Sequence, residues 1–131
     1  MIDKVDVDII ISQGIQVQQN GMQQQQLIIN PTKVIRSPYI PTALSLTITF
    51  VIVGLKNGES HHLKVSIKHI ETGYVAFSND SDATAPTGTD NMVINADLKN
   101  IGFEHEGEYE ASLYIDGKKF FNNFYVLEKE K

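Results

Sequence analysis

The sequence predicts an all-β protein, an antiparallel β-sandwich built as a single domain over residues 1–131. Three observations carry that prediction. Apolar and polar residues alternate along several runs, the period of a strand with one buried face. Asn20-Gly21, Asn57-Gly58 and Asp116-Gly117 lie between such runs, and Asn-Gly and Asp-Gly pairs favour tight hairpin turns. Nowhere does an apolar period of about 3.6 residues persist over about ten positions, so little helix is expected.

Composition narrows the class further. A chain of 131 residues is long enough to bury one core and short for two domains. Its 41% hydrophobic content argues against wholesale disorder. The net charge is −5, and the only basic cluster is Lys118-Lys119, which disfavours a nucleic-acid partner. The absence of cysteine removes disulfides, thiolate zinc sites and thiol catalysis together, and suits a reducing compartment. Residues Met1 to Asp8 alternate and carry charge, unlike a signal peptide, and no apolar run approaches the roughly 20 residues of a membrane helix. The expectation is a soluble cytoplasmic protein with no membrane partner.

Taken in order, Val5, Val7, Ile9 and Ile11 mark the inner row of a first strand, with Gly14 as a bulge. The next segment, holding Gln16, Gln18, Gln19 and Gln23 to Gln26, is the most biased in the chain. Asn20-Gly21 at its middle predicts a hairpin flanked by Ile15 and Val17 on one arm and Leu27 to Ile29 on the other. The glutamines read either as an adhesive polar ladder or as the neutral exterior of an exposed hairpin. Pro31, Pro38 and Pro41 then exclude a central strand, because each removes a ladder donor; an edge strand and a crossing connection are expected.

Leu44 to Leu55 and Leu63 to Ile70 read as a hairpin about Asn57-Gly58. That register sets Ile52 opposite Leu63, Phe50 opposite Val65, Ile48 opposite Ile67 and Leu46 opposite His69. The other face, with Ser45, Thr47 and Thr49 against His62, Lys64 and Lys68, reads as half-solvated. Glu71-Thr72-Gly73 is a turn, Tyr74 to Phe77 a short strand, Ser78 to Asp90 a polar loop, and Met92 to Leu98 a strand.

Asp116-Gly117 closes the last hairpin and fixes its register. Ile115 faces Lys118, Leu113 Phe120, Ala111 Asn122, Tyr109 Phe124 and Gly107 Val126 along the core row. The outer row pairs Tyr114 with Lys119, Ser112 with Phe121, Glu110 with Asn123 and Glu108 with Tyr125.

Gly107-Glu108-Tyr109-Glu110-Ala111 resembles the tyrosine corner of immunoglobulin-like sandwiches, where a Gly precedes a Tyr at the start of a late strand. His105 replaces the usual Asp, Ala111 stands where antibody domains carry Cys, and there is no Trp. The resemblance implies an immunoglobulin-like antiparallel β-sandwich without the antibody-type disulfide core. Tyr39-Ile40-Pro41 before a long alternating strand, the middle hairpin, and Gly107, Tyr109, Asp116 and Gly117 together resemble small uncharacterised β-sandwich proteins of Gram-positive bacteria and their prophages. That resemblance brings no activity with it.

Chemistry-bearing patterns are few. His61 and His62, adjacent on a strand, point to opposite faces and cannot chelate one metal. Asp80-Ser81-Asp82 and Asp90 offer oxygen ligands for calcium, but the Gly and closing Glu of a calcium loop are missing. There is no Gly-x-Ser-x-Gly and no phosphate-cradling glycine cluster, and Glu104, Glu106, Glu108 and Glu110 carry no signal for glycoside hydrolysis. No cofactor is expected, and nothing requires an enzyme.

What remains is surface. Tyr114, Phe121 and Tyr125 fall on the outer row of the last hairpin, where a cluster of rings is a candidate binding surface unless the connection around Tyr39 covers it. The expected function is therefore a non-enzymatic protein-interaction or assembly module with a protein partner or a homo-oligomer. The alternatives are a carbohydrate- or calcium-binding domain and a phage structural component.

Overall fold

The computed structural model describes residues 4–87 and 91–129. Among them there is no helix, and the chain forms two sheets. The strands are β1 (Asp6–Asn20), β2 (Gln23–Pro31), β3 (Val34–Ser37), β4 (Thr42–Val53), β5 (Ser60–His69), β6 (Val75–Thr84), β7 (Asn91–Phe103), β8 (Gly107–Ile115) and β9 (Lys118–Glu128). The first sheet runs β2-β1-β4-β7 and the second β3-β9-β8-β5-β6. All pairings are antiparallel except β3 on β9. Setting β1-β4-β7 against β9-β8-β5, with β8 opening on the tyrosine corner, gives the immunoglobulin-like arrangement.

The core is the inner row of each strand. Ile9, Ile11, Leu46, Ile48, Phe50 and Ile52 from the first sheet meet Leu63, Ile67, Leu113, Ile115, Phe124 and Val126 from the second. Tyr109 is buried at its end, edge-on to Phe103 at 5.1 Å between ring centroids and stacked on Phe124 at 5.9 Å. Its hydroxyl donates to His105 O at 2.6 Å and accepts from His105 N–H at 3.3 Å, closing the tyrosine corner over the β7–β8 connection.

The C-terminal hairpin has the register read from the sequence, from Ile115↔Lys118 to Gly107↔Val126. Asp116 and Gly117 both take positive φ, 49° and 87°, as a type I′ turn requires. The glutamine hairpin also forms, but one residue further on. Asn20 pairs with Gln23, so the loop is Gly21-Met22, and Gly21 alone takes positive φ, the type II′ solution. Gly21 thus sits at the first loop position rather than the second.

The middle hairpin does not exist. β4 pairs with β1 and β7, whereas β5 pairs with β6 and β8 in the opposite sheet. Asn57-Gly58 does turn the chain, with Glu59 N–H donating to Lys56 O at 3.3 Å, but Gly58 N–H goes to Ala85 O at 2.9 Å. The turn therefore opens the β5–β6 ladder instead of closing β4 onto β5. Alternation reports which face of a strand is buried, not which strand lies beside it. Phe50 and Val65 both point inward, but from opposite sheets.

Two smaller expectations also fail. Ser78 to Thr84 is not loop but the second half of β6, paired with β5 from Ser66↔Ser78 to Ser60↔Thr84. It lies at a sheet edge, where backbone bonds to one neighbour hold a strand of polar side chains. Asp90 and Gly88 lie outside the described residues. Thr47 and Thr49 are buried, not half-solvated, and donate to Asp97 Oδ1 at 3.2 Å and Asn95 Oδ1 at 2.8 Å on β7.

The glutamine hairpin explains part of that covering. β1 and β4 lie between β2 and β7, so a flat sheet would hold β2 about 14 Å from β7 at the usual strand spacing. Yet Asn95 Nδ2 donates to Gln26 Oε1 at 3.0 Å. The hairpin is therefore folded back over the outer face of the first sheet.

Candidate functional site

The outer face of the second sheet carries the three rings singled out from the sequence. The β8–β9 register puts Tyr114, Phe121 and Tyr125 on one side, and the parallel pairing of Val34 with Tyr125 adds Val34. Phe121 is 58% exposed, Tyr125 40% and Val34 44%, while Tyr114 is half-buried. The connection before β4 is no lid, since its own Tyr39 is 67% exposed.

The rings form two patches rather than one cluster. Tyr114 and Phe121 are diagonal neighbours, whereas Tyr125 stands four residues along β9, about 13 Å away, beside Val34. Lysines frame the first patch: Lys64 Nζ lies 5.7 Å from the Tyr114 centroid and Lys119 Nζ 5.4 Å from that of Phe121. Lys119 also pairs with Glu110 at 2.6 Å, and this hydrogen bond raises its pKa. Such a surface offers flat apolar rings framed by both charge signs.

The histidines are used in three different ways. On the outer face His62 lies between two carboxylates of β6, with Nδ1 3.0 Å from Asp82 and Nε2 3.0 Å from Asp80. Both ring nitrogens donate only in the imidazolium, and the bonds to Asp82 and then Asp80 raise its pKa. The two aspartates proposed as calcium ligands are thus spent on a histidine. His69, buried at the end of β5, donates from Nε2 to Glu106 O at 3.1 Å and accepts at Nδ1 from the Thr72 hydroxyl (2.7 Å) and amide (3.3 Å). It stacks on His105 at 5.0 Å and packs behind the tyrosine corner.

His61 points the other way, between the sheets. Asp116, held at its turn position by Asp116 N–H to His62 O at 2.9 Å, accepts the His62 amide on Oδ1 (2.9 Å) and His61 Nδ1 on Oδ2 (2.7 Å). These bonds, first that from His61, hold the Asp116 carboxyl below its ordinary range. The His61 side chain is only 10% exposed, and its Nε2 is buried with no partner. Its ring lines a cleft of about 260 Å3 at the open end of the sandwich. The sequence held no sign of this pair, because the partners lie 55 positions apart and the fold alone brings β5 beside the last turn. Among the described residues no group of three or more His, Asp and Glu side chains is placed to hold a metal. Nor is any helix there long and apolar enough to cross a membrane.

No family model matches the chain, and no curated protein matches it in sequence. Solved structures align with most of the chain at low similarity. A β-glucosidase from Listeria innocua, in complex with isofagomine, aligns over 95% of this chain and 16% of its own, at 7% identity and a TM-score of 0.49. The alkylpurine DNA glycosylase AlkC of Pseudomonas fluorescens, bound to DNA containing an abasic site analog, aligns over 95% of this chain and 31% of its own, at 10% identity and a TM-score of 0.46. The chain thus spans less than a third of either protein, and likeness at this level carries no function across.

Proposed function

We propose that the chain is a non-enzymatic binding or assembly module that docks a protein surface, in the first place a second copy of itself, on the outer face of the second sheet. The observation that carries the reading is the exposure of Phe121 and Tyr125 on the five-stranded sheet, with Val34 beside Tyr125. Large rings on a sheet lose little side-chain freedom on docking and are the residues that most often anchor interfaces. The surrounding charges favour self-association. Lys64, Lys119 and Arg36 share the face with Glu108 and Glu110, so a two-fold rotation can set each sign against its opposite.

Sedimentation velocity over a range of concentrations, with wild-type protein and Phe121→Asp, tests the reading. The expected result is a concentration-dependent dimer that the variant abolishes while its melting curve is kept. A wild-type monomer that also retains no partner in a pull-down, with Phe121→Asp behaving identically, would refute it. A carbohydrate stacked on the same rings would instead appear as ring-proton shifts of Tyr114 and Tyr125 in an oligosaccharide titration.

A further inference from the structure

We propose that the open half of β9 is a strand-addition site, where an extended segment of a partner protein, aliphatic at alternate positions and acidic at its flanks, continues the second sheet. The site is the edge of that sheet rather than its outer face, and it stands whether or not the face self-associates.

The pairing leaves this edge open. β3 covers β9 only from Tyr125 to Glu128, and among the described residues no strand lies beside Lys118 to Phe124 on that side. Tyr125 N–H donates to Lys33 O at 2.7 Å, so the backbone of Tyr125 faces the edge, and alternation along the strand turns the N–H and C=O of Lys119, Phe121 and Asn123 the same way. Asn123 N–H is met by the Asn122 side chain at 3.0 Å. The groups of Lys119 and Phe121 have no backbone partner among the described residues, and a row of donors and acceptors at ladder spacing is matched by another extended backbone.

The space behind the edge selects side chains. β2 joins β1 only from Ser12 onward, so Asp6 to Ile9 of β1 also lie open on the side away from β4 among the described residues. The two open edges flank a seam between the sheets, and Asn122 spans it, donating from Nδ2 to Ile9 O at 3.0 Å. One end of the seam is the cleft of about 260 Å3 walled by Val5, Leu55, Ile115 and Phe120. The other is a hollow of about 330 Å3 between Ile9, Ile11, Pro31 and Asn122. An added strand would turn one side chain inward beside Phe120 and its next inward one beside Asn122, about 7 Å further on, so alternate aliphatic residues reach both spaces.

Charge names the flanks. Lys118 and Lys119 begin the open stretch and Lys33 ends it, its Nζ 3.2 Å from Asn122 Oδ1, with no carboxylate on the strand between. Laid antiparallel on itself about Phe121, the edge would bring Lys33 of one copy against Lys119 of the other, which disfavours a second copy and favours an acidic segment.

Selection from a displayed library of random dodecapeptides, followed by titration of the 15N-labelled protein with a selected peptide, tests the proposal. The selected peptides should alternate aliphatic residues and carry acidic flanks, and binding should slow amide exchange of Lys119 and Phe121 about tenfold or more while β6 and β7 are unchanged. Methylating the peptide nitrogens that face β9 should weaken binding about tenfold or more. Phe121→Pro removes an edge donor, which an edge strand tolerates on its open side, and should weaken binding likewise; Phe121→Val loses the outer ring but keeps the N–H and should bind as wild type does. Should the proline variant not fold, the wild-type exchange and the methylated peptide still decide. No selectable peptide, binding without protection of Lys119 and Phe121, equal affinity for the methylated peptide, or protection that rises with protein concentration in the absence of peptide would overturn the proposal.

Discussion

Replacing Tyr109 by Phe isolates what the tyrosine corner contributes. The ring remains, so its contacts with Phe103 and Phe124 survive, and only the hydroxyl is lost. That hydroxyl donates to His105 O at 2.6 Å and receives His105 N–H at 3.3 Å. Leaving a part-buried backbone group without its partner costs about 1–3 kcal/mol. With 131 residues at about 2.1 cal/mol/K each, the unfolding entropy is about 0.28 kcal/mol/K, so Tm should fall by about 4–11 °C. Urea denaturation of both proteins should show a lower midpoint at unchanged m value. The same variant has a pH signature. Burial is the chief cause raising the Tyr109 pKa, so the fold favours the protonated phenol. Stability from this source is complete below the ordinary tyrosine value of about 10 and is lost as pH rises through the higher folded value. Wild type should lose stability on the alkaline side more steeply than Tyr109→Phe. A Tm change below about 2 °C together with parallel alkaline profiles would show that the hydroxyl clamps nothing.

Three other outcomes follow from the geometry. Phe50→Ala, at the centre of the core, should cost about 3–5 kcal/mol and leave a cavity, measured by urea denaturation; a loss below about 1 kcal/mol would contradict its burial. His62 is held as the imidazolium by Asp82 and Asp80, so the tie between β5 and β6 is complete below the ordinary histidine value of about 6.5 and is lost as pH rises through the higher folded one. Proton NMR should place its titration above that of free histidine, and Asp80→Asn with Asp82→Asn should bring it back. Gln26→Ala should speed amide exchange in the glutamine hairpin without changing Tm by more than about 2 °C, because the bond to Asn95 is exposed and isolated.

The hairpins and the sandwich could be read from the chain because two-residue turns and strand alternation are local chemistry. Asp116-Gly117 set every pair of β8 and β9, and Tyr109 found its corner. Partnership between distant strands is not local, and the same alternation that places Phe50 and Val65 in the core made their strands look like neighbours. The second half of β6 was missed for another reason. An edge strand needs only backbone pairing on one side, so Ser78 to Thr84 carry no apolar row to betray it. At the candidate sites, the outward rings were legible from register alone, whereas the His61–Asp116 pair exists only because β5 runs on past Leu63 to reach the last turn.

That polar edge has a consequence for how the molecule keeps company with others. A foreign strand laid along the open side of β6 would have to come to rest beside Asp80 and Asp82, carboxylates already crowded about one imidazole. At this rim of the second sheet, extension by a further strand is thus opposed by charge.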